Sequence, residues 1–169
     1  VHAAIGRVQL RKLPAAVRRR RSLARRIAEQ CRQRLQTVRL KEALPGCEGA
    51  YWFLLLELDC QRLRADKQTF VNALAAEGIP VGADYLHAPP LAEWFRRRAV
   101  FGASGYPWAS SRYRGDPDRQ YDVPNAVAAN ARHFHMMFHE NCGEREADDA
   151  VAALVKVERA YLRDNRHDH

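Results

Sequence analysis

The densest set of chemistry-bearing side chains in this sequence is His133, His135, His139 and Cys142. Histidines two apart on a strand share a face, and a cysteine three residues past the last of them could close a tetrahedral set around a transition metal. Sites of that kind usually draw a ligand from a second element, and the sequence signals none. The reading adopted is therefore no metal site, with the histidines at a sheet edge or a substrate cleft. Asp84, Tyr85 and His87 form a second polar group, at and just past the end of an expected strand that runs into a long loop. Strand ends of this kind are where α/β proteins place ligands. Ordinary loop polarity accounts for the same residues, and the residues alone leave both readings open.

A third feature is the run Arg18 to Arg21, continued by Arg25 and Arg26. It could neutralise phosphates, so a stand-alone basic domain binding nucleic acid or an anionic surface through Arg18 to Arg26 is the alternative reading of the chain. No aromatic residue is interleaved with these arginines to stack on bases, and no helix-turn-helix, zinc-finger or RNP pattern accompanies them. A solvated helix face is the plainer account. Nucleophile elbows, phosphate loops and HExxH are absent from the sequence, so no catalytic and no cofactor-binding residue is assigned.

The elements that must carry these groups follow from periodicity. Ile5, Val8 and Leu13, with Leu10 and Val17 beside them, predict an amphipathic helix. Pro14 lacks an N–H and its ring clashes with the preceding turn, so the helix is expected to end or kink near Leu13 and a second to begin at Pro14. Leu23, Ile27, Cys31 and Leu35 give that second helix one apolar stripe. Ala50 to Leu58 reads as a strand buried on both faces. Asp66 is an N-cap for a helix that buries Phe70, Val71, Leu74 and Ala75 and stops at Gly78. Ile79 to Tyr85 predicts a second strand and Arg132 to His139 a third. Leu86 to Asn125 is expected to be a long loop, with at most a short helix within Leu91 to Val100. Ala147, Ala150, Val151, Leu154, Val157 and Tyr161 stripe a final helix, with acidic residues early and basic ones late, as the helix dipole prefers.

The fold class expected is α/β, of α+β-like character: a small mixed or antiparallel three-stranded sheet packed by helices and preceded by long basic helices. The 169 residues suffice for one domain with a core, and 47% apolar residues argue against disorder. The formal charge of +8 is concentrated before residue 42 and the remainder is near balance. No apolar run approaches the roughly 18 residues that span a bilayer, so no membrane partner is expected. Four cysteines without a CxxC pair signal neither a disulfide framework nor a thiolate metal site and point to the cytoplasm. The chain opens at Val1 inside what reads as a helix, which looks like a cut within an element.

Several segments, taken in order, resemble the C-terminal half of DegT/StrS-type aminotransferases, which have the aspartate-aminotransferase fold. His2 to Leu13 (His-Ala-Ala-Ile-Gly-Arg-Val-Gln-Leu-Arg-Lys-Leu) resembles the helix after that family's Asn-x-Arg-Met-x-Glu segment. Tyr51-Trp-Phe53 is similar to its first small-domain strand, Ala75-Ala-Glu-Gly-Ile-Pro-Val-Gly82 to its next helix and strand, and Phe138-His-Glu140 with Val155-Lys-Val-Glu158 to its end.

The resemblance implies interdomain helices over 1–42, a C-terminal small domain over 43–164, a frayed tail over 165–169, and an N-terminal cofactor-binding domain that is absent. It also implies pyridoxal phosphate bound through a lysine of that absent domain, an amino-acid donor such as glutamate or glutamine, and a keto-sugar or keto-cyclitol acceptor, in a homodimer. The lysines Lys12, Lys41, Lys67 and Lys156 match no cofactor-lysine motif of the family. Two departures bear on the acceptor: Asp84 stands where the family often has histidine, and Met136-Met-Phe-His-Glu140 stands where many members read Leu-Pro-Leu-His-Pro. Tyr85 and His139 at matched positions, with Asp84 and His87, are the expected substrate-cleft residues.

Overall fold

The computed structural model describes residues 1–41, 43–85 and 88–163. The described chain forms two compact units, one made of Val1–Asp84 with 132–163, the other of Tyr85–Ala131.

The first unit is a four-stranded antiparallel sheet with helices on its buried face. Its order is β1-β2-β4-β3, built from β1 (Val38–Leu40), β2 (Phe53–Leu58), β3 (Val81–Gly82) and β4 (His133–Met137). Because β4 runs antiparallel to both β2 and β3 and lies between them, the crossover through α2 (Lys67–Ala76) makes a split β-α-β unit. The α/β class and the antiparallel pairing expected from the sequence are observed. A fourth strand is added: β1 pairs with the outer side of β2, Val38 opposite Leu58 and Leu40 opposite Leu56.

Three expectations about elements are corrected. Helix α1 runs unbroken from His2 to Arg34, 33 residues, with Pro14 inside it. Residues 1–15 are exposed, so the Leu10 carbonyl that loses its partner to Pro14 faces solvent, and the cost that would end a buried helix is reduced. Strand β2 begins at Phe53 and alternates: Leu54, Leu56 and Leu58 are buried, whereas Leu55 is 37% exposed. The chain before it is turned by Tyr51, whose φ of 50° is incompatible with a strand. Strand β3 is confined to Val81–Gly82.

Core assembly follows the stripes. Leu23, Ala24, Ile27 and Cys31 of α1, Phe70, Val71 and Leu74 of α2, and Val151 and Leu154 of α5 (Glu144–Tyr161) close over Leu54, Leu56, Phe134 and Met136 of the sheet. Asp66 caps α2 by accepting from the Thr69 N–H at 2.8 Å, and Glu146 reaches back to the Gly143 N–H at 2.7 Å to start α5. One charged group is buried with the core. Glu158, 3% exposed, accepts hydrogen bonds from the backbone N–H of Gln36 and Thr37 and from the Thr37 hydroxyl, fastening α5 to the turn from α1 into β1.

The second unit holds a 3-10 turn (Pro89–Leu91), the short α3 (Glu93–Arg96) and α4 (Pro124–Arg132), a helix absent from the sequence expectation. None of its described residues is fully buried. Its organiser is Arg98, whose guanidinium lies 4.9 Å from the ring centres of both Phe95 and Trp108 and donates to the carbonyls of Phe95, Pro117 and Arg119. The expected frayed tail, 165–169, lies outside the described residues.

Glu158→Ala leaves the buried amide and hydroxyl of Thr37, and the part-buried amide of Gln36, without their acceptor. It is expected to cost about 3 kcal/mol, read as a lower midpoint of urea unfolding at unchanged slope.

Candidate functional site

The split β-α-β unit gives the sheet two unlike faces. On the face away from the helices, Leu55 lies opposite His135 and Glu57 opposite His133, with Phe53 opposite Met137. Packing of Leu54, Leu56, Phe134 and Met136 into the core forces the two histidines onto this outer face. The His135 ring meets Phe53 edge-on at 5.8 Å and lies across Gly82. A Cβ added at Gly82 would stand 2.3 Å from His135 Cε1. Glycine is therefore required where the Ile-Pro-Val-Gly stretch passes under an imidazole. The glycine four residues earlier serves a different need: Gly78 has φ +85° in the turn out of α2.

The sheet end beyond Gly82 is held by a side chain. Lys67 stands in the first turn of α2, where the helix dipole disfavours a cation, and oxygens of the sheet end compensate its ammonium. It donates to Ala83 O at 2.7 Å, Asp84 Oδ1 at 2.8 Å and His133 O at 3.2 Å. Asp84 is thus the partner of a lysine. Tyr85, 41% exposed, belongs to the second unit, where its N–H donates to Asn130 Oδ1 at 3.2 Å.

His139 lies elsewhere. It follows β4, is exposed, and shapes its own turn: its Nδ1 accepts from Asn141 N at 3.2 Å and its carbonyl from Cys142 N at 3.0 Å. Since Gly82 pairs with His135 and Pro80 O accepts from Met137 N, Asp84 and His139 are at opposite ends of β4. The length of that strand, roughly 13 Å, separates them. His87 lies outside the described residues. No three metal-ligating side chains gather among the described residues, so His133, His135, His139 and Cys142 do not converge there.

The arginines divide by direction. Arg20 donates to Glu140 and to Tyr51 O, Arg21 to Glu48 and to Gly49 O, and Arg26 makes a two-pronged pair with Asp148, joined by Gln30. Half of the arginines in Arg18 to Arg26 are therefore spent on anchoring α1 to the sheet and α5. The Asp148 carboxyl is held down to about 2 from 3.8, first by its hydrogen bond from Arg26 and then by that from Gln30.

A cavity of about 330 Å³ opens on the helix side of the first unit, bordered by Leu23, Ile27, Ile79, Phe138, Cys142 and Ala147 among others. It is mainly apolar, and none of the lysines lines it. Lys156 is held by both carboxylate oxygens of Glu77 at 2.7 Å, and Lys67 by the three oxygens above.

The family model of DegT/DnrJ/EryC1/StrS aminotransferases matches residues 1–114. The chain belongs to this family. Its fold is shared with the aminotransferase TlmJ from Streptoalloteichus hindustanus, at 21% identity and a TM-score of 0.64, over 94% of this chain and 36% of that one. An aminotransferase from Psychrobacter cryohalolentis matches at 18% identity and a TM-score of 0.67, over 94% and 38% of the two chains. The PLP form of Spr1654 from Streptococcus pneumoniae, a protein described as a sugar aminotransferase, matches at 16% and 0.66, over 95% and 36%. The chain thus spans a little over a third of the length of these structures. Among the described residues no helix is long and apolar enough to cross a membrane.

The sequence reading missed Lys67, Gly82 with His135, and the inward arginines. A signal existed for the first, a lysine directly after the Asp66 N-cap, where a cation is unexpected.

Gly82→Ala is expected to cost about 2 kcal/mol, and His135→Ala in the same chain to recover most of that by removing the ring; thermal unfolding of the two variants checks it. The Asp148 pair, with its carboxyl pKa lowered on folding, contributes stability that is present above pH 3.8 and lost as pH falls towards about 2. Asp148→Asn should flatten the acid dependence of unfolding across that window, as measured by urea titrations at successive pH values.

Proposed function

We propose that this chain is the C-terminal part of a pyridoxal-phosphate-dependent sugar aminotransferase, which transfers an amino group from an amino-acid donor to a keto-sugar or keto-cyclitol. The observation that carries the reading is the match of nearly the whole chain to a little over a third of several aminotransferases. Pyridoxal phosphate, when bound, supplies the electron sink for amino transfer. The cavity without a lysine, and Lys67 and Lys156 engaged by oxygens, support its being held by the part of the longer protein that has no counterpart here. By itself the chain is inactive under this reading.

Its own contribution is to shape the acceptor cleft. Tyr85 and Asp84 leave the sheet at one end of β4 and His139 stands at the other, so the two groups would meet different parts of a substrate or different subunits; His87, proposed with the first group, lies outside the described residues. The first half of α1 supports an interdomain role over 1–42, because Ile5 (53% exposed), Leu10 (67%) and Leu13 (51%) present an apolar surface that a further domain would cover. The small domain then occupies 43–164. A cytoplasmic homodimer completes the proposal, with no part for nucleic acid or a membrane. The engagement of Arg20, Arg21 and Arg26 in ion pairs favours this over the basic-surface alternative.

The absorbance spectrum after adding pyridoxal phosphate, first to this chain and then to the longer protein, tests the reading. The visible band of lysine-bound cofactor should form in the longer protein alone and disappear on adding glutamate. A band in the isolated chain would overturn the placement of the cofactor, and no band in either would overturn amino transfer.

A further inference from the structure

Of the six arginines from Arg18 to Arg26, three anchor α1 and Arg25 is among those left over. It borders a second groove of the first unit, about 280 Å³ in volume, lined by α1 and by residues that follow β1. The apolar lining is Ala24 and Ala28, one turn apart on α1 and too short to fill the space, with Leu40 beside them. Lys41 and Tyr51 complete it. Among the described residues, the Arg25 guanidinium, the Lys41 ammonium and the Tyr51 hydroxyl have no hydrogen-bonding or ionic partner. The one described carboxylate at the border, Glu29, is already taken by Arg32 and Gln33.

The backbone holds all three groups in place. Arg25 stands within α1, and Lys41 N donates to Leu55 O at 3.4 Å, extending the β1 ladder by one bond. Tyr51 has φ 50°, a left-handed conformation that a tyrosine keeps only where its surroundings impose it. Here α1 imposes it: Arg20 donates to Tyr51 O at 3.3 Å and Arg21 to Gly49 O at 2.8 Å. The ring lies so close to Gly49 that a Cβ there would stand 2.8 Å from it. Two cations of different shape and a phenolic O–H around one space suit a tetrahedral anion better than a planar one. A guanidinium fork takes two oxygens of a phosphate, and an ammonium takes a third.

We propose that this groove binds a small phosphate monoester, with the phosphate between Arg25 and Lys41 and the organic group on Ala24, Ala28 and the Tyr51 ring. The site shares no residue with the acceptor cleft and does not depend on the amino-transfer reading. The test is a titration of the isotope-labelled 169-residue chain with phenyl phosphate, inorganic phosphate and phenol, followed by amide NMR shifts in roughly 0.15 M salt. Saturable shifts are expected at Arg25, Ala28, Lys41 and Tyr51, with phenyl phosphate binding more tightly than inorganic phosphate, and phenol not at all. Arg25→Ala and Lys41→Ala should each weaken phenyl phosphate about tenfold, and Tyr51→Phe about threefold. Ala28→Leu fills the groove with every charge left in place, and should lower phenyl phosphate to the affinity of inorganic phosphate. Arg18→Ala with Arg19→Ala, on exposed residues outside the groove, should change binding less than about twofold. An affinity unchanged in both Arg25→Ala and Lys41→Ala overturns the proposal. So does an equal loss in the Arg18 and Arg19 variant, which would mean diffuse charge along the helix. Binding of phosphatidic-acid vesicles or duplex oligonucleotides without saturable binding of phenyl phosphate overturns it as well. Arg25 and Lys41 are exposed, so their variants keep the core intact and carry the test even if Ala28→Leu does not fold.

Discussion

A single buried carboxylate sets the frame in which the first unit is built. Glu158 sits among apolar side chains near the end of α5 and is satisfied by two backbone amides and one hydroxyl from Gln36 and Thr37. Burying a carboxylate is tolerable only with such partners. Meeting that requirement forces the chain leaving α1 to turn at one place, which delivers Val38 to the edge of the sheet opposite Leu58. Cys31, one turn back on α1, feels the same site: its thiol is pushed up to about 12, by burial first and by the Glu158 charge second. It is a packing residue, inert as a nucleophile.

With α5 and the end of α1 fastened, the arginines complete the attachment. Arg20, Arg21 and Arg26 lie along the flanks of the buried stripe and reach Glu140, Glu48 and Asp148. Their stems cover the edges of the core while their heads pair at its margin. The second half of α1 is consequently packed against the small sheet, and the first half has its apolar residues uncovered. One unbroken helix, packed along its second half and uncovered along its first, is the physical content of the interdomain role proposed for it.

The side of the sheet proposed to face substrate is organised by close approach. The His135 ring lies so close over Gly82 that a Cβ there would clash, and Lys67 donates to Ala83 O, Asp84 and His133 O at the same strand end. This couples a structural economy, a two-residue β3, to the proposed function. Past the two residues of β3, the Lys67 ammonium ties Ala83 O and the Asp84 carboxylate to His133 O. His139 shares none of this machinery, being held within its own turn.

Much was legible in the sequence because it rests on local periodicity. The stripe of α5, the Asp66 cap, the burial of Leu23, Ile27 and Cys31, and the alternation of β4 all follow from side chains three, four or two apart, and the family followed from the order of several motifs. What the sequence misjudged depended on surroundings it does not encode. Pro14 sits inside a continuous helix whose first 15 residues are exposed, where water can satisfy the Leu10 carbonyl. Strand β1 is three residues with no pattern of their own, created by pairing with β2 and by the Glu158 anchor. The helix Pro124–Arg132 carried a local cue, proline at its first position, but its alanines and asparagines lack an apolar stripe. Candidate site residues were named by type and by position along the chain, whereas their grouping is a matter of strand register. Register put Asp84 beside Lys67, 17 residues away in sequence, and put His139 at the far end of β4. Local spacing determines which face a residue occupies, and only tertiary pairing decides which residues meet, because hydrogen-bonded register and buried charge are satisfied between segments distant in the chain.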